Sequence, residues 1–302
     1  MKRGKLLLLV LTCAVVSLKS NAQYYYYSDG YYDRDMVYEF GGSVGMMNTI
    51  CDVGGANSDT KFYLNEMRGG NYKLAGGLYL GIMYQNFFGL RFEGTWGSVK
   101  SDDQEITSNA SMNLTTKRNR NLNFKSRIGE IGLMAEFHPL MLRYYDDGPP
   151  LLSPYLLAGV GYFWFNPQTE VGGRDIDLQP LRLEGQGFDE YPDRHPYNLS
   201  SVNVPIGVGI RYDLSPLFNL RLEYVHRILF TDYLDNASSR YYTDPSLFTK
   251  YLTPRDAAYA RALSNPSLNG KIPARRGNPD DNDTYMSLNL KIGIVLGRQP
   301  RY

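Results

Sequence analysis

The chain of 302 residues has two cysteines, three histidines and two tryptophans. It also has no apolar run long enough to cross a bilayer as a permanent helix. Each scarcity closes off a class of protein. Cys13 lies in an N-terminal apolar stretch that is expected to be removed, which leaves Cys51 alone and rules out an internal disulfide. An odd cysteine in an exported chain points to an intermolecular disulfide or a free thiol at Cys51. Thr12 stands before Cys13 where a lipidation site wants a small residue. His138, His195 and His226 are scattered, so no histidine metal centre and no cofactor are expected. The acidic groups Asp175/Asp177 and Asp280/Asp281/Asp283 lack the glycine and terminal glutamate of an EF-type calcium loop, and read as solvated loop acids. No nucleophile elbow is present. Charge of either sign is not in excess: 32 Lys and Arg face 31 Asp and Glu. Losing Lys2, Arg3, Lys5 and Lys19 with the leader would take the net charge from +1 to −3, which excludes a nucleic-acid binder.

What is present begins with that leader. Lys2, Arg3 and Lys5 precede an apolar segment, Leu6–Leu18, and Ser20-Asn21-Ala22 offers small residues at the −3 and −1 positions. Residues 1–22 are therefore expected to be a cleaved signal peptide, with the mature chain starting at Gln23. Residues 23–35 form a tyrosine-rich segment, expected to be a periplasmic lead-in, and 36–302 form the main body. Aromatics make up 14 % of the chain, with 26 Tyr and 30 Gly. Transmembrane barrels concentrate aromatics at both membrane interfaces.

The body is patterned with period two. From Val202 to Tyr212, apolar side chains fall on every second residue, and Asn203, Pro205, Gly207, Gly209 and Arg211 lie between them. After a Ser-Pro turn, Leu220, Leu222 and Tyr224 alternate with Arg221 and Glu223. Such strands put one face in lipid and the other in a lumen. Similar runs centre on Tyr38–Met46, Leu74–Tyr84, Leu90–Trp96, Ile131–Phe137, Tyr155–Phe165 and Met286–Leu296. Gly81–Glu93 echoes Gly209–Glu223, with Leu-Arg-apolar-Glu at the end of each. The expected fold is all-β: an eight-stranded antiparallel transmembrane barrel with short periplasmic turns and long external loops. The inward set is Arg91, Arg211, Arg221, Arg227 and Lys291 against Glu39, Glu93, Glu130, Glu136 and Glu223. Their balance predicts a lumen filled with paired charges. Pro205 removes a ladder donor and predicts a local bulge. Within the longest loop, Phe230–Asp283, Asp244-Pro245 and Thr253-Pro254 predict the starts of two short helices.

Several stretches together resemble the PorG-like outer-membrane barrels of Bacteroidota. They are Tyr38–Met46, Cys51–Gly55, Pro154–Pro167, Leu178–Gly187 (LQPLRLEGQG), Tyr191–Arg194 and Phe230–Asp235 (FTDYLD). Cys51 stands where that pattern often has glycine. The resemblance implies a non-enzymatic part of the type IX protein secretion machinery, and in gliding species a part in surface-adhesin export. It implies partnership with the periplasmic ring of the PorK lipoprotein and PorN, besides the lipid bilayer. The expected docking face is the periplasmic one: Gln85–Phe88, Leu140–Leu152, Asp213–Phe218 and the lead-in. Two other readings compete with this one. One is a surface barrel that binds an external ligand through its loops; the other, an outer-membrane hydrolase using His195 or His226.

Overall fold

The architecture was obtained as a computed structural model that describes residues 31–54, 71–106, 112–142, 150–268, 270 and 275–300. The expected signal peptide and most of the lead-in lie outside the described residues. Among the described residues nine strands are formed: β1 (Tyr31–Ile50), β2 (Lys73–Tyr84), β3 (Phe88–Asp102), β4 (Asn123–Phe137), β5 (Leu152–Val171), β6 (Arg174–Asp177), β7 (Ser200–Asp213), β8 (Phe218–Leu229) and β9 (Thr284–Pro300). Eight of them run antiparallel in the order β4-β3-β2-β1-β9-β8-β7-β5, and β4 pairs with β5 to close a barrel. The ninth, β6, lies off the wall and folds back on the outer end of β5.

The alternation read from the sequence sets the wall. Along β4 and β8 every second side chain is buried, and those between are exposed or half-buried. The outward set includes Leu74, Leu78, Leu80, Val160 and Ile292, each more than half exposed. Exposed leucines in such number are unfavourable in water and are the surface lipid requires. Two aromatic levels bound this belt. Toward the short turns, Tyr84, Phe88 and Phe137 stand side by side across β2, β3 and β4. Toward the long loops, Trp96 and Trp164 flank Gly129, and a Cβ built there would touch both indoles. Phe88 and Trp96 are eight residues apart, about 27 Å of strand or about 20 Å of height at a barrel's usual tilt. That height suits an outer-membrane apolar band.

Several expectations need correction. Strands outlast their apolar runs: β1 begins at Tyr31, inside the lead-in, and pairs Tyr31–Asp33 with Arg298–Pro300 beyond a register irregularity. β5 continues through Val171, into what read as loop from Asn166. Pro205 causes no bulge. Ala158 faces Ile206 and Gly161 faces Asn203 in one register, and only the two pairs between are missing. The ladder omits its bonds beside the proline instead of inserting a residue. The polar loop after β3 contains an unexpected helix, α1 (Met112–Arg120), with Lys117, Arg118 and Arg120 in its last turn. It stops at Asn121, whose φ is 61°. The two helices expected in the last loop are present as α2 (Phe248–Tyr251) and α3 (Pro254–Ser264). Thr253 caps α3 by accepting from the Asp256 amide at 3.3 Å, with Pro254 as the first helical residue. Asp244 does not cap α2; it accepts from the Ser246 amide at 2.9 Å and shapes the preceding turn.

Candidate functional site

All ten charged residues of the inward set are buried inside the barrel. Arg91, Arg221, Lys291, Glu39, Glu93, Glu136 and Glu223 form one network across opposite walls, and Arg227 and Arg211 make ion pairs apart from it. Arg91 on β3 reaches Glu93 at 3.1 Å, Glu136 at 2.5 Å and Glu223 at 2.8 Å. Lys291 on β9 bridges Glu93 at 2.6 Å and Glu223 at 2.8 Å. Arg221 joins Glu39 at 2.5 Å and Glu136 at 2.7 Å. Toward the long loops, Arg227 meets Glu130 at 2.5 Å and the Ser287 hydroxyl at 2.9 Å. Arg211 departs from the glutamate pattern, pairing with Asp213 at 2.9 Å, a residue that the sequence placed in a turn.

The network includes aromatic residues that the sequence reading left out. Tyr79 donates to Glu39 at 2.6 Å, and its ring lies 5.4–5.9 Å from Lys291, Arg91 and Arg221. Tyr155 donates to Glu223 at 2.8 Å and stacks on His138 at 4.7 Å. Tyr285 donates to Glu130. Room for these rings comes from glycines on neighbouring strands. A Cβ on Gly209 would sit 2.3 Å from the Tyr155 ring, and one on Gly41 would sit 2.7 Å from that of Tyr79. The lumen is thus a packed polar core.

The long loops fold over the outer mouth. Their interior is continuous with the upper lumen: Phe163, Phe165, Leu178, Leu181, Leu183, Phe188, Leu234, Phe248, Ala257 and Tyr285 form one apolar cluster. Phe188 stacks on Tyr251 at 4.3 Å, and Tyr197 on Tyr233 at 4.2 Å. Two buried ion pairs tie the loops together. Arg120 holds Asp103 at 2.8 Å, and Arg276 holds Glu184. Arg120 also donates to the carbonyl of Asp52 at 2.8 Å and to that of Arg276, so three loops meet on one guanidinium.

Two of the segments that carry the resemblance, Leu178–Gly187 and Phe230–Asp235, belong to this cap. In LQPLRLEGQG, Leu178, Leu181 and Leu183 enter the cluster and Glu184 is buried against Arg276. Gly185 has φ of 72°, and a Cβ there would lie 2.6 Å from the Tyr191 ring. In FTDYLD, Leu234 and Asp235 are buried.

One acidic cluster was not foreseen. Cys51 Sγ and a carboxylate oxygen each from Asp235 and Asp283 lie within 4.8 Å of one another. Asp235 accepts from the Val53 amide at 2.9 Å and the Ala237 amide at 2.8 Å; Asp283 accepts from the Leu234 amide at 2.9 Å. Burial pushes the Asp235 carboxyl up to about 7, with the Asp52 charge adding to it. Asp232 is pushed up to about 9, and Asp283 and the Cys51 thiol are also raised, each first by burial and then by neighbouring carboxylates. The thiol half-faces the cap interior and donates to the Val53 carbonyl at 3.3 Å. An intermolecular disulfide would require it to turn outward. Asp280 and Asp281 are exposed, unlike Asp283. Asp175 pairs with Lys125, and Asp177 accepts from the side chains of Asn166 and Gln168.

The histidines do not converge. His138 is buried at the floor of the lumen, 3.1 Å from the Ser153 hydroxyl and 3.4 Å from Glu136. His195 is exposed in the cap. His226 lies outside the barrel, beside a furrow over Ala135 and Ala158.

A closed eight-stranded barrel with an apolar belt, two aromatic levels and an ion-paired interior is a transmembrane barrel of the outer-membrane type. Residues 38–244 match the model of the outer membrane protein beta-barrel domain, and the chain belongs to that family. Its location is accordingly the outer membrane. Solved structures it is similar to include a major outer membrane protein from Thermus thermophilus, at 12% identity and TM-score 0.38, covering 87% of this chain and 100% of that one. Neisserial surface protein A is similar at 11% identity and TM-score 0.36, covering 87% and 98%. OprG from Pseudomonas aeruginosa is similar at 10% identity and TM-score 0.35, covering 87% and 97%. No curated protein matches the sequence.

Proposed function

We propose that this barrel is a non-enzymatic docking component of the type IX protein secretion machinery, which holds the periplasmic PorK/PorN ring at the outer membrane. The observation that carries the docking reading is the apolar rim of the short-turn side. Leu140, Leu142, Leu214 and Leu217 are all between 40% and 59% exposed on the connections after β4 and β7. A polar turn would suffice to join strands; exposed leucines there offer a surface to a partner. The lumen is filled by paired charges, which fits a docking part better than a conduit. The choice of machine rests on the resemblance, of which Leu178–Gly187 and Phe230–Asp235 lie in the cap. A chromosomal deletion should stop export of cargo bearing the C-terminal signal and disturb ring assembly, with restoration by the wild-type gene. Normal export in the deletion strain would refute the reading.

The folded cap favours a second reading, a surface barrel that recognises an external ligand. Replacing exposed cap residues such as Tyr241 separates the two: lost ligand binding with intact secretion supports the second.

A further inference from the structure

We propose that Cys51, Asp235 and Asp283 form a structural site for a thiophilic divalent metal of the zinc class, which clasps the cap to the barrel rim. The three residues come from the outer end of β1, the loop after β8 and the entry to β9. Their donor atoms already converge within 4.8 Å. Around zinc, with Zn–S of about 2.3 Å and Zn–O of about 2.0–2.2 Å, tetrahedral donors lie about 3.5 Å apart. A contraction of about 1 Å at the widest pair closes the triad onto an ion. The carboxylates are oriented by the amides of Val53, Ala237 and Leu234, the outer support that metal ligands ordinarily have.

A second, independent observation points to a cation. Asp232 is 8% exposed, and neither of its carboxylate oxygens makes a hydrogen bond among the described residues, although the Ser238 hydroxyl stands near. Asp232 stands three residues before Asp235 in the loop after β8. The nearby guanidinium groups are engaged elsewhere, Arg120 with Asp103 and Arg276 with Glu184. A buried group of carboxylates with no cation of its own is costly. A divalent ion meets that need, with a water in the fourth position. A cavity of about 70 Å³ lined by Val53, Asp235 and Asn236 adjoins the triad and gives water room. The thiol selects the metal: calcium and magnesium prefer oxygen ligands, whereas thiolate suits zinc. On binding, Cys51 releases its proton to solvent and its sulfur donates an electron pair to the metal.

The test uses full-length protein extracted from outer membranes in mild detergent, dialysed against metal-free buffer and reloaded with zinc. Mass spectrometry should find one zinc per chain. Cobalt in its place should give a thiolate-to-cobalt absorption band. Cys51→Ser and Asp283→Asn should each lose the bound metal, and Cys51→Ser the band. Both variants should keep the barrel's unheated gel shift, which separates loss of the site from failure to fold. Chelation should speed protease cleavage within 230–283 of the wild type alone. Absence of tightly bound metal after reloading, or zinc content unchanged in both folded variants, overturns the site.

Discussion

Glu136 is the residue on which the lumen most depends. It is ion-paired with Arg91, accepts from Arg221 and lies beside His138. Removing one partner of a buried ion pair leaves the others charged and unpaired, at a cost of about 3–5 kcal/mol. Glu136→Gln should therefore destabilise the folded barrel in vesicles by that amount, measured by urea titration of its gel shift; an unchanged midpoint would contradict the network. Tyr79→Phe removes only the hydroxyl that Glu39 accepts from, and should cost about 1 kcal/mol by the same assay. The positions of the charged residues were legible, because an Arg or Glu at an alternate position between lipid-facing leucines can only face the lumen. Their tyrosine partners were not. Tyr79 and Tyr155 suit either face by composition, and which glycines make room for them is known only once strands are in register. Cys51 follows β1 while Asp235 and Asp283 stand at the two ends of the last loop, and only the folded cap brings the three together.

At the level of elements, strand centres were legible and strand ends were not. The apolar period ends where the strand leaves lipid, but the hydrogen-bond ladder continues, as in β3 to Asp102 and β5 to Val171. Helix α1 has no apolar period, and two Asn and two Thr offset its Met, Leu, Lys and Arg, so MNLTTKRNR read as loop. Inter-strand fit gives a sharper test. Gly209 lies under the Tyr155 ring, so Gly209→Ala should displace the ring and its bond to Glu223 and destabilise the barrel by about 1–3 kcal/mol. Refolding at wild-type stability would show that the ring has slack. The turn after β2 holds Gln85 and Asn86 at φ of 47° and 60°, as a type I′ turn requires. Gln85→Gly should relieve the side-chain penalty there and leave stability equal to or above that of the wild type, by the same urea assay. A loss would mean that Gln85 has a role beyond the turn.

At the level of the molecule, two cores are stacked along one axis: a charged one inside the membrane and an apolar one above it. The closed barrel was legible from eight periodic runs. The cap was not, beyond the two helices, because its core is assembled from single leucines and aromatics on separate loops. Leu183 is 2% exposed in that core. Leu183→Ala should cost about 2–4 kcal/mol, felt locally as faster proteolysis of the outer loops with the barrel's gel shift intact. If the whole barrel unfolded together, cap and wall would be one cooperative unit. The functional account turns on which end meets a partner. Photo-crosslinkers placed at Leu142 and Leu217 on the short-turn rim, and at Tyr241 and Leu268 in the cap, address this in native outer membranes. Each of the four positions is more than half exposed. Adducts with periplasmic ring proteins are expected from Leu142 and Leu217 and none from the cap positions. Adducts with those proteins from the cap alone would contradict it.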